Sequence, residues 1–175
     1  MIKVRKYGGD TLYQVGDHIF YPMHGAGKIK AIEEKEIAGE TQPYYIINML
    51  IGNLKVMIPK KRISKSNIRP VNDLDAVKEI ATMLETRESD KTLTWKKRYN
   101  ANMDKIKSGK LQACVEVVYG LLCMQREAKL NSSEKRMLKR AKKLLMSELK
   151  VVEGMNKNIK EKFLSMLTES HTSIS

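Results

Sequence analysis

Residues 42–59 read Gln-Pro-Tyr-Tyr-Ile-Ile-Asn-Met-Leu-Ile-Gly-Asn-Leu-Lys-Val-Met-Ile-Pro. The run Gln42–Ile51 is dense in β-branched and aromatic residues, which is a strand signal. Gly52-Asn53 is a two-residue hairpin turn of the kind that tolerates positive φ, and Leu54–Ile58 returns as a second strand. Pro59 has no backbone donor and ends the ladder. Working backwards, Ala38-Gly39-Glu40 closes a hairpin with a longer strand, Gly27–Ile37, whose Glu33-Glu34-Lys35-Glu36 stretch must face water. A turn over Pro22 to Gly25 joins that strand to a short one, His18–Tyr21. Such strands between Leu12 and Val71 imply a small, strongly bent sheet or partly closed barrel. Residues 1–11 show no clear period and end beyond a glycine pair, so they read as a leader.

After Val71 the period changes. Lys60 to Pro70 reads as a linker. Asp73 or Asp75 caps a helix through about Glu85 that buries Val77, Ile80, Ala81 and Leu84. Residues 86–93 are polar and read as a loop. Thr94 is the expected N-cap of a helix to about Ile106, ended by Ser108-Gly109. Leu111 to Ala128 follows, with Leu111, Cys114, Val115, Val118, Leu121 and Leu122 repeating at three and four. Asn131-Ser132-Ser133-Glu134 offers a capping box for a helix to about Val152, and Lys157 to Leu167 is a last amphipathic segment. The expected fold class is therefore α+β in two domains: leader 1–11, β module 12–71, all-α helical bundle 72–168, and a frayed tail 169–175.

The formal net charge is +13, and it is uneven. Residues 1–75 hold 12 basic and 8 acidic groups, residues 76–175 hold 21 and 12. The excess implies a polyanionic partner and places it on the second half. Cys114 and Cys123 would lie on one helix, ~13 Å apart along its axis, too far for a disulfide. With no stapling framework, signal peptide or membrane-spanning apolar run, the expected setting is the reducing cytoplasm.

Catalytic chemistry has no support. Gly25-Ala26-Gly27-Lys28 invites a phosphate-loop reading, but Pro22 stands where that motif needs its first glycine and Ile29 where it needs Ser or Thr. His18, His24 and His171 are not spaced as metal ligands. No nucleophile, base and orienting group form a set. Neither cofactor nor metal is expected, and the chain does not read as an enzyme.

One segment does carry chemistry: Thr94-Trp95-Lys96-Lys97-Arg98-Tyr99-Asn100-Ala101-Asn102. It sets the only tryptophan in the first turn of a helix, next to three cations and a tyrosine. A helix N-terminus with Lys and Arg holds phosphates, and an exposed aromatic stacks on or wedges into an opened base step. Trp95 and Tyr99, four apart, equally suit an ordinary core stripe. Both readings stand at this point. The helix after Asn131 adds a basic face of Lys135, Arg136, Lys139, Arg140, Lys142 and Lys143, which suits nucleic acid, anionic lipid or plain solvation. In the β module, the edge strand Leu54–Ile58 could pair with a partner's strand, and Lys55 is the expected guarding charge.

The ordered set Val15-Gly16-Asp17, Tyr21-Pro22-Met23-His24-Gly25, Ala31-Ile32-Glu33, Gly39-Glu40, Tyr44-Tyr45 and Gly52-Asn53-Leu54-Lys55-Val56 resembles the CarD/CdnL family of bacterial transcription regulators. The second half is similar through Trp95 to Asn102, Ser108-Gly109 and Glu134-Lys135-Arg136-Met137-Leu138. The resemblance implies a Tudor-like β barrel that binds the β subunit of bacterial RNA polymerase. It also implies a helical domain that meets promoter DNA at the upstream edge of the transcription bubble. Trp95 would wedge into the minor groove, with Lys96, Lys97, Arg98, Tyr99, Lys135, Arg136 and Lys139 as DNA-facing neighbours. Lys35, Leu54, Lys55, Val56, Met57 and Ile58 would form the polymerase surface. Two departures stand out: Met57 sits where an arginine helps contact polymerase in other members, and Asn100 stands where some members have a cation. The protein is expected to be a nucleoid-associated monomer with no membrane partner. The alternative function is a conventional sequence-specific repressor that acts without polymerase.

Overall fold

The computed structural model describes residues 5–7, 10–85 and 93–168. Most of the loop expected over 86–93, and the whole tail 169–175, lie outside them. The chain divides into two compact units, residues 1–71 and 72–175. The first is an antiparallel β-sheet unit and the second is helical.

The first unit holds a five-stranded sheet built from β3 (His18–Tyr21), β4 (Gly25–Ile37), β5 (Glu40–Met49), β6 (Lys55–Pro59) and β7 (Arg69–Pro70). Their spatial order is β6-β5-β4-β3-β7. Two further strands, β1 (Arg5–Tyr7) and β2 (Asp10–Leu12), pair only with each other, so the expected leader contains a small ladder of its own. The sheet is open. The Tudor-like barrel implied by resemblance is not closed: β6 and β7 are the two edges of the sheet and do not pair with each other. The stretch expected as linker is partly structural as well. Lys60–Lys65 forms a 3-10 turn that buries Ile63, and Arg69 and Pro70 pair with β3. Isolated apolar residues among cations give no periodic signal, which is why sequence alone misses them.

β5 is an interior strand next to the β6 edge, and both its faces carry buried residues. Tyr45, Ile47 and Met49 join Tyr13, Ile19, Ile29, Ile58 and Ile63 in one core, while Tyr44 and Ile46 are buried on the opposite face. Each such side chain contributes roughly 1.5–3 kcal/mol on burial. Pairing of β4 with β5 shifts register between Ile29 and Ala31, a bulge that bends the strand and swaps which residues face the core. Gly27 is explained here: a Cβ at this position would lie 2.7 Å from Met49 Sδ and 3.0 Å from the Asn48 carbonyl oxygen. Its glycine serves cross-strand packing.

The helical unit comprises α1 (Leu74–Glu85), α2 (Trp95–Lys107), α3 (Leu111–Glu127), α4 (Ser132–Leu149) and α5 (Lys157–Thr168). Asp73 caps α1 by accepting from the Ala76 N–H at 2.9 Å. α3 packs against α2, α4 and α5, burying Leu111, Cys114, Val115, Val118 and Leu121, while Leu122 is half-buried. Ala81 is likewise half-buried. Cys114 lies buried with its Sγ 3.5 Å from the Ala141 carbonyl oxygen on α4; Cys123 is free and half-buried. Asn72 is fixed to the C-terminal part of α4, where its backbone N–H and its Nδ2 both donate to Glu148 Oε1 at 2.9 Å. No helix among the described residues is long and apolar enough to cross a membrane.

Tyr13 closes the β core. Its backbone N–H donates to the Tyr45 hydroxyl at 3.3 Å, its own hydroxyl donates to the Ile68 carbonyl at 3.2 Å, and the two rings meet edge to face. Burial pushes the Tyr13 phenol up from 10.0 to about 12, helped by Tyr45 and Asp17 and opposed by Arg69. Because the folded value exceeds the unfolded one, this contribution is complete below pH 10 and is lost as pH rises toward 12. Urea denaturation followed by circular dichroism should therefore show stability falling by on the order of 2 kcal/mol across that window. Tyr13→Phe should remove much of the slope.

Candidate functional site

In the helical unit, α2 begins at Trp95 with Thr94 as N-cap. The indole is 57% exposed, which rules out the core-stripe reading, and Tyr99 one turn on is half-buried. Lys96 and Lys97 are exposed beside it. Arg98, expected as a third phosphate contact, is engaged within the unit. Its Nη2 and Nε donate to Glu134 Oε1 at 2.6 and 3.0 Å, and its Nη1 donates to the Leu93 carbonyl at 3.0 Å. The Arg98 and Glu134 side chains are only 16% and 4% exposed.

That ion pair brings the first turns of α2 and α4 together. α4 starts with a full capping box: the Asn131 side chain accepts from the N–H groups of Ser133 and Glu134, and the Glu134 carboxylate accepts from the Asn131 N–H. Lys135, Arg136 and Lys139 are exposed from that start onward, as are Arg140, Lys142 and Lys143. The only carboxylates on α4, Glu134 and Glu148, are both buried. The solvent face of this helix is thus purely cationic, a stronger asymmetry than the residue count suggested. The sequence shows Glu134 only as a capping residue. Its link to Arg98 spans 36 positions and leaves no local signal.

In the β unit the expected partner residues split by strand alternation. β6 is an edge strand, and its register sets Lys55 opposite Asn48, Met57 opposite Ile46, Val56 opposite Ile47 and Ile58 opposite Tyr45. Ile58 therefore points into the core, with half-buried Val56 beside it. Met57 is exposed on the other face, and Leu54 is exposed where the strand begins. The Met49 N–H donates to the Leu54 carbonyl at 2.8 Å. This sets the phase of the ladder, so Lys55 and Met57 turn their backbone groups toward the open edge. On β4, Lys35 pairs with Gln42 and lies 2.7 Å from Glu33. Glu33 shares its face with Tyr44, and Lys35 and then Lys55 hold its carboxyl below the usual range. Lys35, Lys55 and Met57 accordingly project from one face of the sheet.

Comparison with known proteins matches both units. Residues 13–72 fit the CarD-like/TRCF RID domain, and residues 79–165 fit the CarD C-terminal domain. The chain belongs to the CarD family. Within it, one relative is a Bacillus subtilis (strain 168) protein described as "Putative transcription factor YdeB". It is 53% identical over 143 residues, spanning 82% of this chain and 94% of that protein. Met57 on the edge strand and Asn100 on α2 are both exposed. Among the described residues, no group of three or more His, Cys, Asp or Glu side chains could hold a metal ion.

The split along β6 is directly measurable. Met57→Ala should change unfolding free energy by no more than about 0.5 kcal/mol, whereas Ile58→Ala should cost about 2–4 kcal/mol in urea denaturation. Equal costs would mean that the register of the edge strand differs from that described.

Proposed function

We propose that this CarD-family protein is a transcription regulator that tethers itself to bacterial RNA polymerase through the β unit and stabilises the open promoter through the helical unit. The β unit docks on the polymerase β subunit by its β6 edge and by the face bearing Lys35, Lys55 and Met57, with Leu54 at the rim. Val56 and Ile58 support that edge from the core side. Its match to the RID domain supports this assignment.

Trp95 then enters the minor groove at the upstream edge of the melted region, and Lys96, Lys97, Lys135, Arg136 and Lys139 hold nearby phosphates. The observation that carries the reading is an exposed tryptophan at a helix N-terminus, set among cations, in a chain that also has the RID domain. An aromatic wedge resists closing of an unstacked step, and phosphate contacts position without reading sequence. Binding to free duplex is weak and salt-sensitive through counterion release. Docking raises the local concentration of the helical unit at the promoter, which makes weak contacts effective. The protein acts as a monomer on the nucleoid in the cytoplasm and shifts a population between closed and open promoters; it catalyses no reaction.

Trp95→Ala should retain capture of RNA polymerase but shorten open-complex lifetime by about 5- to 150-fold, the equivalent of the ~1–3 kcal/mol of base stacking lost. The measurement is decay of competitor-resistant promoter complexes. A folded variant with unchanged lifetime would contradict the wedge role.

A further inference from the structure

The first turn of α2 breaks the rules that normally stabilise a helix start. Thr94 makes no side-chain capping bond, and the turn contains no acidic residue. Lys96, Lys97 and Arg98 occupy it instead, at the end where the helix dipole disfavours cations. Among the described residues, no hydrogen bond or ring contact holds the Trp95 indole. A turn of this composition frays when nothing else restrains it.

The first turn of α4 has the opposite character, and one carboxylate joins the two. Glu134 Oε2 accepts from the Asn131 N–H at 3.3 Å and completes the capping box of α4. Glu134 Oε1 accepts from Arg98 Nε and Nη2. The remaining arm of the guanidinium, Nη1, holds the Leu93 carbonyl just before α2 begins. Trp95 lies on the segment that this clamp closes.

We propose that Glu134 is a positioning residue for Trp95: through Arg98 it lends the capped start of α4 to the uncapped start of α2, so the exposed indole is presented in one orientation. This inference rests on the wedge reading of Trp95 given above. A wedge already oriented in the free protein loses less of its contact energy to ordering when it meets DNA. The pair also withdraws one cation and one anion from the surface together. Recognition of phosphate is left to Lys96, Lys97 and the cations of α4.

Glu134→Gln tests the proposal, because glutamine can still accept the Asn131 N–H in a capping box but lacks the charge that fixes Arg98. Trp95 is the only tryptophan, so time-resolved fluorescence anisotropy of the full chain reads its local motion. The variant should gain a fast local component and shorten open-complex lifetime severalfold. Binding to free duplex DNA should stay equal or tighten, since the charge of Arg98 is released. Unchanged anisotropy, or joint loss of helical circular dichroism, duplex binding and open-complex lifetime, would overturn the proposal. Arg98→Lys keeps the charge but not the planar fork; it should show the same rise in indole motion and the same shortened lifetime, and it decides the matter should Glu134→Gln fail to fold. Trp95→Ala separates the two layers. If it leaves the lifetime unaltered, the wedge reading fails; if it shortens the lifetime while Glu134→Gln and Arg98→Lys behave as wild type, the positioning role alone fails.

Discussion

A single carboxylate, that of Glu134, completes the N-terminus of α4 and reaches through Arg98 to the N-terminus of α2. Burying an ion pair is costly unless every lone pair and proton is used, and here both carboxylate oxygens and three guanidinium nitrogens have partners. The arrangement explains why an uncapped, cation-rich turn persists where helix chemistry disfavours it. The exterior of α4 is cationic because both of its carboxylates, Glu134 and Glu148, are buried while Lys135, Arg136, Lys139, Arg140, Lys142 and Lys143 remain exposed. Local rules are broken at the start of α2 and repaired from α4, the pattern expected where function and stability compete.

The β unit solves a different problem. β5 buries residues on both faces, so β4 and β6 must flank it, and β6 is left as an edge. An edge strand exposes backbone groups that can recruit a partner strand. Here the core-facing Ile58 fixes the strand while Met57 and Lys55 are free to face outward. Core packing and solvent exposure are divided between alternate residues of one short segment.

Much of this was legible in the sequence. His18–Tyr21 was read with its observed bounds, and the helices from Leu74, Trp95, Leu111, Ser132 and Lys157 begin where capping residues and apolar periodicity put them. Gly52 and Asn53, both at positive φ, form part of the turn that their chemistry suggested. What escaped is non-periodic or distant. Ile63 and the Arg69-Pro70 strand lie in a cation-rich stretch with no alternation to detect, and the pairing of Arg5–Tyr7 with Asp10–Leu12 follows no apolar pattern. Closure of a sheet depends on which edges meet, which alternation does not encode, so the barrel expectation gave way to an open sheet. At the candidate site, composition located Trp95 and its cations, but only the fold decided its exposure. It also ties Arg98, read as a DNA-facing cation, to Glu134 on another helix.

The central claim is that Trp95 reaches promoter DNA only when polymerase holds the protein there. The most direct measurement replaces Trp95 with a photo-crosslinking amino acid and maps adducts on promoter DNA with and without bacterial RNA polymerase. The account predicts adducts confined to the upstream edge of the melted region and dependent on polymerase. Equal adducts on free duplex, or none in the promoter complex of a folded and polymerase-bound variant, would contradict it.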